Sequence, residues 1–174
     1  MNLKDYVSKV PNFPKEGIVF LDVTSIFADG EAYKYATGKL AEFTKSCGAN
    51  KVLGPEARGF LAGAPVATEL GLPFIPVRKP GKLPRETVSI DYDLEYGSNT
   101  LCMNFDGVVP GDKVVIIDDL LATGGTVKAT CELVKRLGGE VCGIAFYIAL
   151  TDLPGLNLLK DYNVYSLMDF TEEI

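Results

Sequence analysis

The feature that most constrains the fold of this chain is a run of four β-branched residues, Val114 to Ile117. The run has no alternation of apolar and polar residues, so it predicts a strand buried on both faces, as in a parallel sheet. A turn with two glycines follows at residues 122–126, and residues 127–137 then carry apolar side chains three or four positions apart. That spacing is typical of an amphipathic helix. The stretch therefore predicts a buried strand, a tight turn and a helix in succession.

The turn after this strand has the residue types that bind a phosphate. It consists of Ala122, Thr123, Gly124, Gly125 and Thr126. Glycines let backbone N–H groups approach an anion closely, threonines add hydroxyl donors, and the helix directs its positive dipole end at the same spot. Open α/β sheets bind ligands at the carboxyl ends of their strands, which is where this turn is predicted to lie. The sequence therefore predicts a phosphate site here.

Two carboxylates, Asp118 and Asp119, precede the turn. They cannot hold a phosphate, but their oxygens suit sugar hydroxyls or a hydrated Mg²⁺. A phosphate-binding turn beside an acidic pair describes a site for a phosphorylated ribose. One alternative is an ordinary strand, turn and helix without a ligand. Another is a Walker A loop at residues 54–60, which has the glycine spacing but lacks the Lys and the Ser or Thr of that motif.

Composition narrows the classes of function. The chain has 174 residues, 47% of them hydrophobic, and no linker or repeat divides it, so we expect a single domain over residues 1–174. A formal net charge of −6 argues against a nucleic-acid partner, which would need a basic surface. The absence of histidine excludes Ser-His-Asp and Cys-His triads. Any proton transfer must therefore use Asp, Glu, Lys, Tyr, water or the substrate.

The cysteines and the N-terminus favour a cytoplasmic protein. The sequence has 4 cysteines and none of them forms a C-x-x-C pair, so a zinc site is not expected. Cys47 and Cys131 fall on apolar helix faces, which predicts reduced core thiols. The N-terminal residues contain no long apolar run, so we expect neither a signal peptide nor a membrane partner.

The N-terminal region is predicted to begin with a short helix over residues 1–12 that ends before Pro11. An extended run through Ile18 and Phe20 then follows two prolines and a glycine. This run predicts either an edge strand with its side chains in the core or a small flap whose aromatic ring can stack on a base.

Two further segments have a chemistry suited to anions. A short strand at Lys51–Leu53 runs into a turn that contains Arg58, and a helix is predicted over about residues 59–70. This repeats the strand, turn and helix of the phosphate site, with an added guanidinium. Residues 78–86 hold four cations, two prolines and a glycine without periodicity. They predict a mobile basic loop, either an ordinary solvated turn or a cover for a pyrophosphate.

The central string at residues 118–126, Asp-Asp-Leu-Leu-Ala-Thr-Gly-Gly-Thr, resembles the phosphoribosyl pyrophosphate (PRPP) signature of the type I phosphoribosyltransferases. In this form it resembles the adenine branch, and the resemblance spans nearly the whole chain. It implies an α/β fold with a mostly parallel twisted sheet flanked by helices, a small N-terminal hood at about residues 10–28 and a flexible lid loop at about residues 78–97. It also implies purine salvage, in which PRPP and adenine give AMP and pyrophosphate, with Mg²⁺ as cofactor and a homodimer as the working form.

The resemblance assigns site residues in three groups. The ribose and 5′-phosphate of PRPP are expected at Asp118, Asp119, Ala122, Thr123, Gly124, Gly125 and Thr126. Mg²⁺ is expected to be held mainly through PRPP, with the two aspartates nearby. Pyrophosphate is expected at Glu56, Ala57, Arg58, Arg78, Lys79 and Lys82, with a cis peptide bond between the first two. Adenine is expected at Val19, Phe20 and Leu120, with the phenylalanine stacked on the base.

The string Leu-Glu-Tyr-Gly at residues 94–97 resembles the family's catalytic segment. The resemblance implies that Glu95 takes part in proton transfer and that Tyr96 lies beside it. A lid anchor, formed through Arg or Lys pairs, is the alternative role for Glu95. Two departures from the family pattern stand out. Leu21 replaces an Arg or Lys that many relatives carry, so any contact of that cation is missing. Residues 101–104 replace the usual Leu-Glu-Ile-His, which we expect to affect packing only.

Two other functions stay open at this point. Phosphoribosyltransferases for 6-oxopurines typically place a Lys after the central motif, and residues 146–153 contain none, which favours adenine. PRPP-sensing regulators usually carry an added DNA-binding module, for which this acidic chain has no room.

Overall fold

The computed structural model of the protein describes residues 1–94 and 96–171. Its strands are β1 Ser8–Pro11, β2 Val19–Asp22, β3 Lys51–Pro55, β4 Phe74–Val77, β5 Thr87–Asp93, β6 Ser98–Asn104, β7 Lys113–Leu121, β8 Glu140–Leu150 and β9 Val164–Phe170. Its helices are α1 Thr24–Phe27, α2 Gly30–Ser46, α3 Arg58–Leu70, α4 Gly125–Arg136 and α5 Gly155–Leu158, after a 3₁₀ turn at Leu3–Tyr6. Within the described ranges, no helix is long and apolar enough to cross a membrane.

A parallel sheet with the strand order β4-β3-β7-β8-β9 forms the centre of the molecule. The run Val114 to Ile117 in β7 is fully buried. Val115 and Ile117 pack on the side of α2 and α3, whereas Val114 and Ile116 pack on the side of α4. The structure therefore confirms a strand buried on both faces and an α/β fold whose parallel sheet is flanked by helices.

An antiparallel hairpin of β1 and β2 occupies the N-terminal region. The predicted helix over residues 1–12 is wrong, because only the 3₁₀ turn at Leu3–Tyr6 is helical there. Residues 8–11 instead pair with residues 19–22, and that long-range backbone pairing outweighs the local preference for a helix.

A second antiparallel hairpin joins β5 to β6. Residues 79–86 form neither helix nor strand, in agreement with the predicted loop. The segment assigned to the lid nevertheless contains all of β5, which the sequence analysis did not predict. Arg78 joins this hairpin through a backbone bridge to Cys102 in β6, with N···O distances of 2.9 and 2.7 Å.

A charged network joins the amino ends of β3 and β7. Lys51 Nζ lies 2.7 Å from Asp112 Oδ2, and the two side chains are 17% and 8% exposed. The Asn50 amide and the Val109 backbone N–H also donate to this carboxylate, at 3.0 and 2.8 Å. Burial alone would raise the pKa of Asp112, but these donors and the Lys51 charge lower it overall.

Changing Asp112 to asparagine should lower the free energy of unfolding by about 2 kcal/mol at neutral pH, the scale of a charge-assisted hydrogen bond. Because the folded-state pKa is lowered, the ionised carboxylate stabilises the fold above its unfolded pKa, and that stabilisation is lost as the pH falls through the folded value. Urea unfolding at neutral and acidic pH would measure both effects. A stability difference between wild type and variant that persists unchanged in acid would contradict this account.

Candidate active site

β7 carries the acidic pair and leads into the glycine turn. The strand continues to Leu121, so Asp118 and Asp119 lie within it rather than after its end. Gly124 has a φ of +86° and caps α4, which begins at Gly125. Glycine adopts this left-handed conformation without the strain that a Cβ would add. The turn expected to hold a phosphate therefore has a backbone shape that depends on glycine, directly before a helix N-terminus.

The short helix α5 packs against this turn. The Gly155 N–H donates to the Ala122 carbonyl at 3.0 Å. A Cβ at Gly155 would overlap that carbonyl and the Leu121 side chain, so glycine allows the close approach. The sequence analysis missed this support. The signal that could have indicated it is the Pro154-Gly155 dipeptide after β8, a pair typical of tight turns.

The two aspartates of the acidic pair lie in different electrostatic surroundings. Asp119 is 7% exposed and accepts a hydrogen bond from Arg58 Nε. That bond raises the pKa of the Arg58 guanidinium. Burial raises the pKa of Asp118 well above its usual value, and the neighbouring Asp119 raises it further. The two aspartates are thus distinct, since Asp119 is paired with a cation and Asp118 has a raised pKa.

The turn between β3 and α3 contains a cis peptide bond between Glu56 and Ala57, as the family resemblance implied. Glu56 Oε1 accepts from the Lys79 backbone N–H at 2.7 Å and lies 3.4 Å from Arg78 Nε. The structure therefore brings the first two cations after β4 to this turn. Lys82 is exposed on the following loop.

An apolar cavity of about 330 Å³ lies where β2 meets the ends of β7 and β8, a size suited to a small ligand. Its lining consists of Gly17, Ile18, Val19, Phe20, Leu21, Leu120 and Leu150. The structure thus brings together the three residues expected at adenine. Phe13 packs edge-on against the Phe20 ring, with centroids 5.2 Å apart, and the Arg58 guanidinium lies 5.7 Å from the centre of that ring.

Two leucines of this cavity, Leu150 and Leu21, were not assigned to the adenine site from the sequence. Leu150 was missed, although it ends β8 beside the end of β7, and neighbouring parallel strands share one ligand-binding edge. Leu21, which replaces the Arg or Lys of many relatives, is 5% exposed and packs in the hydrophobic core beside α2. At this position the chain therefore uses an apolar contact in place of a charge.

A second cavity, of about 550 Å³, opens beside the glycine turn. Its lining consists of Asp93, Leu94, Tyr96, Thr123, Gly125, Thr126 and Leu158. The end of the β5–β6 hairpin therefore meets the turn, and Tyr96 lies there with 88% of its surface exposed. Glu95, the residue expected in proton transfer, falls outside the described residues.

Comparison with known proteins identifies the family. The family model of the phosphoribosyl transferase domain matches residues 25–173. The adenine phosphoribosyltransferase of Lactobacillus gasseri is 56% identical over 98% of this chain and 97% of its own length. That of Streptococcus thermophilus is 52% identical over 98% of this chain and 99% of its own.

Solved structures agree with the sequence comparison. The adenine phosphoribosyltransferase of Thermoanaerobacter pseudethanolicus superposes with a TM-score of 0.93, at 48% identity, over 97% of this chain and 98% of that one. The enzyme of Saccharomyces cerevisiae, in complex with adenine and an imino-altritol bisphosphate, gives a TM-score of 0.90 at 35% identity, over 95% and 96% of the two chains. With these identities over nearly its full length, and with the glycine turn and acidic pair in place at the end of β7, the chain belongs to the adenine phosphoribosyltransferases, within the phosphoribosyl transferase domain family.

Proposed function

We propose that the protein acts in purine salvage, where it transfers the phosphoribosyl group of PRPP to adenine and releases AMP and pyrophosphate. The observation that carries this proposal is the arrangement along residues 118–126. This stretch contributes the acidic pair, then Leu120 in the apolar cavity, then the glycine turn beside the second cavity. A ribose 5-phosphate bound along the stretch would reach the acidic pair and the turn, with a base in the neighbouring apolar cavity.

The residues act mainly by positioning and charge. The bond from the ribosyl carbon to pyrophosphate breaks as a base nitrogen attacks, and positive charge develops on the ribosyl centre. Asp118 and Asp119 bind the ribose hydroxyls, and residues 122–126 donate backbone N–H groups to the 5′-phosphate. Positive charge for the leaving pyrophosphate comes from Arg58, Arg78, Lys79 and Lys82, together with the turn at Glu56 and Ala57. Val19, Phe20 and Leu120 hold the base, with Glu95 and Tyr96 at the reacting end.

Mg²⁺ belongs to this proposal as an ion carried by the substrate. In the described ranges, no group of three or more His, Cys, Asp or Glu side chains converges on a metal position. Asp119 is paired with Arg58, which leaves few carboxylate oxygens for an ion. These donors fit Mg²⁺, which keeps several waters and binds through one or two carboxylates plus substrate phosphates. Asp118 and Asp119 would lie near the ion, which would neutralise charge on the pyrophosphate.

The proposal also covers the assembly and location of the protein. We infer one phosphoribosyltransferase domain over residues 1–174, with the hood and lid described above, that works as a homodimer in the cytoplasm. The thiols of Cys47, Cys102, Cys131 and Cys142 are free, which suits a reducing compartment. Light scattering coupled to gel filtration should give twice the mass of one chain, and the mass of a monomer would refute the dimer.

A screen of isotope-labelled bases with PRPP and Mg²⁺ tests the reaction itself. We expect label in AMP only, because apolar side chains line the base cavity and residues 146–153 offer no lysine to a 6-oxo group. Label in IMP or GMP would indicate a 6-oxopurine enzyme. PRPP binding without formation of any nucleotide would indicate a PRPP-sensing regulator.

Changing both Asp118 and Asp119 to asparagine should weaken PRPP binding and reduce its dependence on Mg²⁺. The double change keeps the shape of the pair but replaces the carboxylates, which are proposed to bind the ribose hydroxyls and to lie near the ion, with uncharged amides. Calorimetric titration of PRPP with and without Mg²⁺ measures this, with Asp161→Asn, an exposed carboxylate between α5 and β9, as control. A double variant whose PRPP affinity responds to Mg²⁺ as the wild type does would count against the assignment.

A further inference from the structure

The β5–β6 hairpin is held at both ends of α4. Near the end of the helix, Arg136 Nη1 donates to the Ser89 carbonyl of β5 at 2.8 Å. At its beginning, the Tyr92 hydroxyl of β5 lies 3.2 Å from Thr126 Oγ1. Val88, Ile90 and Tyr92, which alternate along β5, pack against the core to which α4 contributes. The hairpin is therefore fixed in position along α4, the helix that begins in the glycine turn.

Tyr92 contacts the turn with both its ring and its hydroxyl. Two ring carbons lie 3.7 and 3.8 Å from the position that a Cβ on Gly125 would occupy, so the ring rests against the backbone of the turn. The hydroxyl meets the side chain of Thr126, the next residue. Thr126 in turn lines the cavity of about 550 Å³, together with Leu94 and Tyr96 from the end of the same hairpin. Thr126 thus contacts Tyr92 and also faces the proposed phosphate position.

Either hydroxyl could be the donor in the hydrogen bond between Tyr92 and Thr126, and a bound anion would favour one of the two arrangements. A hydroxyl has one proton to donate and two lone pairs that accept. When Tyr92 donates to Thr126, the Thr126 proton is free to donate to an anion in the cavity. The opposite direction would direct that proton at Tyr92 and withhold it from the ligand. An anion in the cavity therefore favours the arrangement in which Tyr92 is the donor.

We propose that Tyr92 is a positioning residue, which orients the Thr126 hydroxyl toward the 5′-phosphate of the substrate and ties the end of the β5–β6 hairpin to the phosphate turn. This inference rests on the proposed function, because it takes the anion in the cavity to be that 5′-phosphate. Tyr92 acts through Thr126 and needs no contact with the substrate.

The variant Tyr92→Phe keeps the ring and removes only the hydroxyl. We expect about a three- to tenfold loss of AMP affinity, the scale of one hydrogen bond, and a similar rise in KM for PRPP. Adenine affinity and KM for adenine should stay within about twofold, because adenine carries no phosphate. Tyr35→Phe, a change on α2 outside both cavities, serves as the matched control and should alter none of these values.

A double-mutant cycle with Thr126→Val separates positioning from general stability. If Tyr92 acts through Thr126, the change to phenylalanine should cost no further AMP affinity in the valine background. Additive losses, an unchanged AMP affinity in Tyr92→Phe, or an equal loss for adenine and AMP would each overturn the inference. If the wild type binds PRPP and AMP and the losses in the two variants are additive, only the role of Tyr92 is refuted. If the wild type binds neither ligand, the proposed function is refuted as well.

Discussion

Replacing Gly124 with valine should reduce the affinity for PRPP and AMP on the order of a hundredfold, which corresponds to about 2.7 kcal/mol. Gly124 has a φ of +86°, a conformation that a β-branched residue rarely adopts. A Cβ there would lie 3.2 Å from both Gly155 Cα and Leu158 Cδ2, so the new side chain would press on α5. Relief of that contact must move the turn, and the N–H groups proposed to bind the 5′-phosphate would move with it.

The control for Gly124→Val is Gly71→Val. Gly71 ends α3 with a φ of +66° and has open space around its Cβ position, so it shares the backbone strain but lies outside the site. Thermal melts should show a loss of stability for both variants, while titration should show a loss of ligand affinity for Gly124→Val only. A folded Gly124→Val protein that binds PRPP and AMP as the wild type does would place the phosphate site elsewhere.

Changing Glu95 to glutamine should slow the chemical step by roughly 10²–10⁴-fold, the range of general acid–base catalysis, with substrate affinities nearly intact. Adenine must lose a ring proton as its nitrogen bonds to the ribosyl carbon, and the chain contains no histidine to accept it. The residues on either side, Leu94 and Tyr96, line the cavity beside the glycine turn. Single-turnover rates should be measured, because slow product release could hide the chemical step.

The alternative role for Glu95, an anchor of the lid, gives a different pattern. It predicts weaker PRPP binding and only a modest loss of rate at saturation. Glu86→Gln, which removes an exposed carboxylate just before β5, controls for the loss of charge on the same hairpin. A single-turnover rate for Glu95→Gln within a few-fold of the wild type would exclude Glu95 as an essential acid or base.

The parts of the structure that the sequence predicted well are those built from consecutive residues. The buried run at Val114–Ile117, the glycine turn and the start of α4 follow one another, so local patterns are sufficient to identify them. The largely apolar residues 140–150 form a buried strand for the same reason. By contrast, the Arg58–Asp119 pair joins residues 61 positions apart, and no local pattern indicates which carboxylate the arginine meets.

Long-range packing also explains what was missed. Residues 8–11 extend only because β2 offers a backbone partner, which a local prediction of a helix could not include. Leu150 lines the apolar cavity because β8 lies beside β7 in the sheet, and Gly155 supports the glycine turn because the chain then folds back onto Ala122. Strand order, which decides these contacts, is a property of the whole fold and is only weakly encoded in any single segment.

The side chains of β7 point alternately to the two faces of the sheet, so the spacing of its residues is as important as their identity. Leu120 packs with the core on the side of α2 and α3, while Leu121 packs with the core on the side of α4. Because side chains alternate at every position of a strand, one inserted residue after Asp119 would exchange these two faces. Leu120 would then leave the apolar cavity, and the turn would move by one residue relative to the acidic pair. A single-codon insertion in this short stretch would thus disturb the proposed ribose, base and phosphate positions together, although every original side chain would still be present.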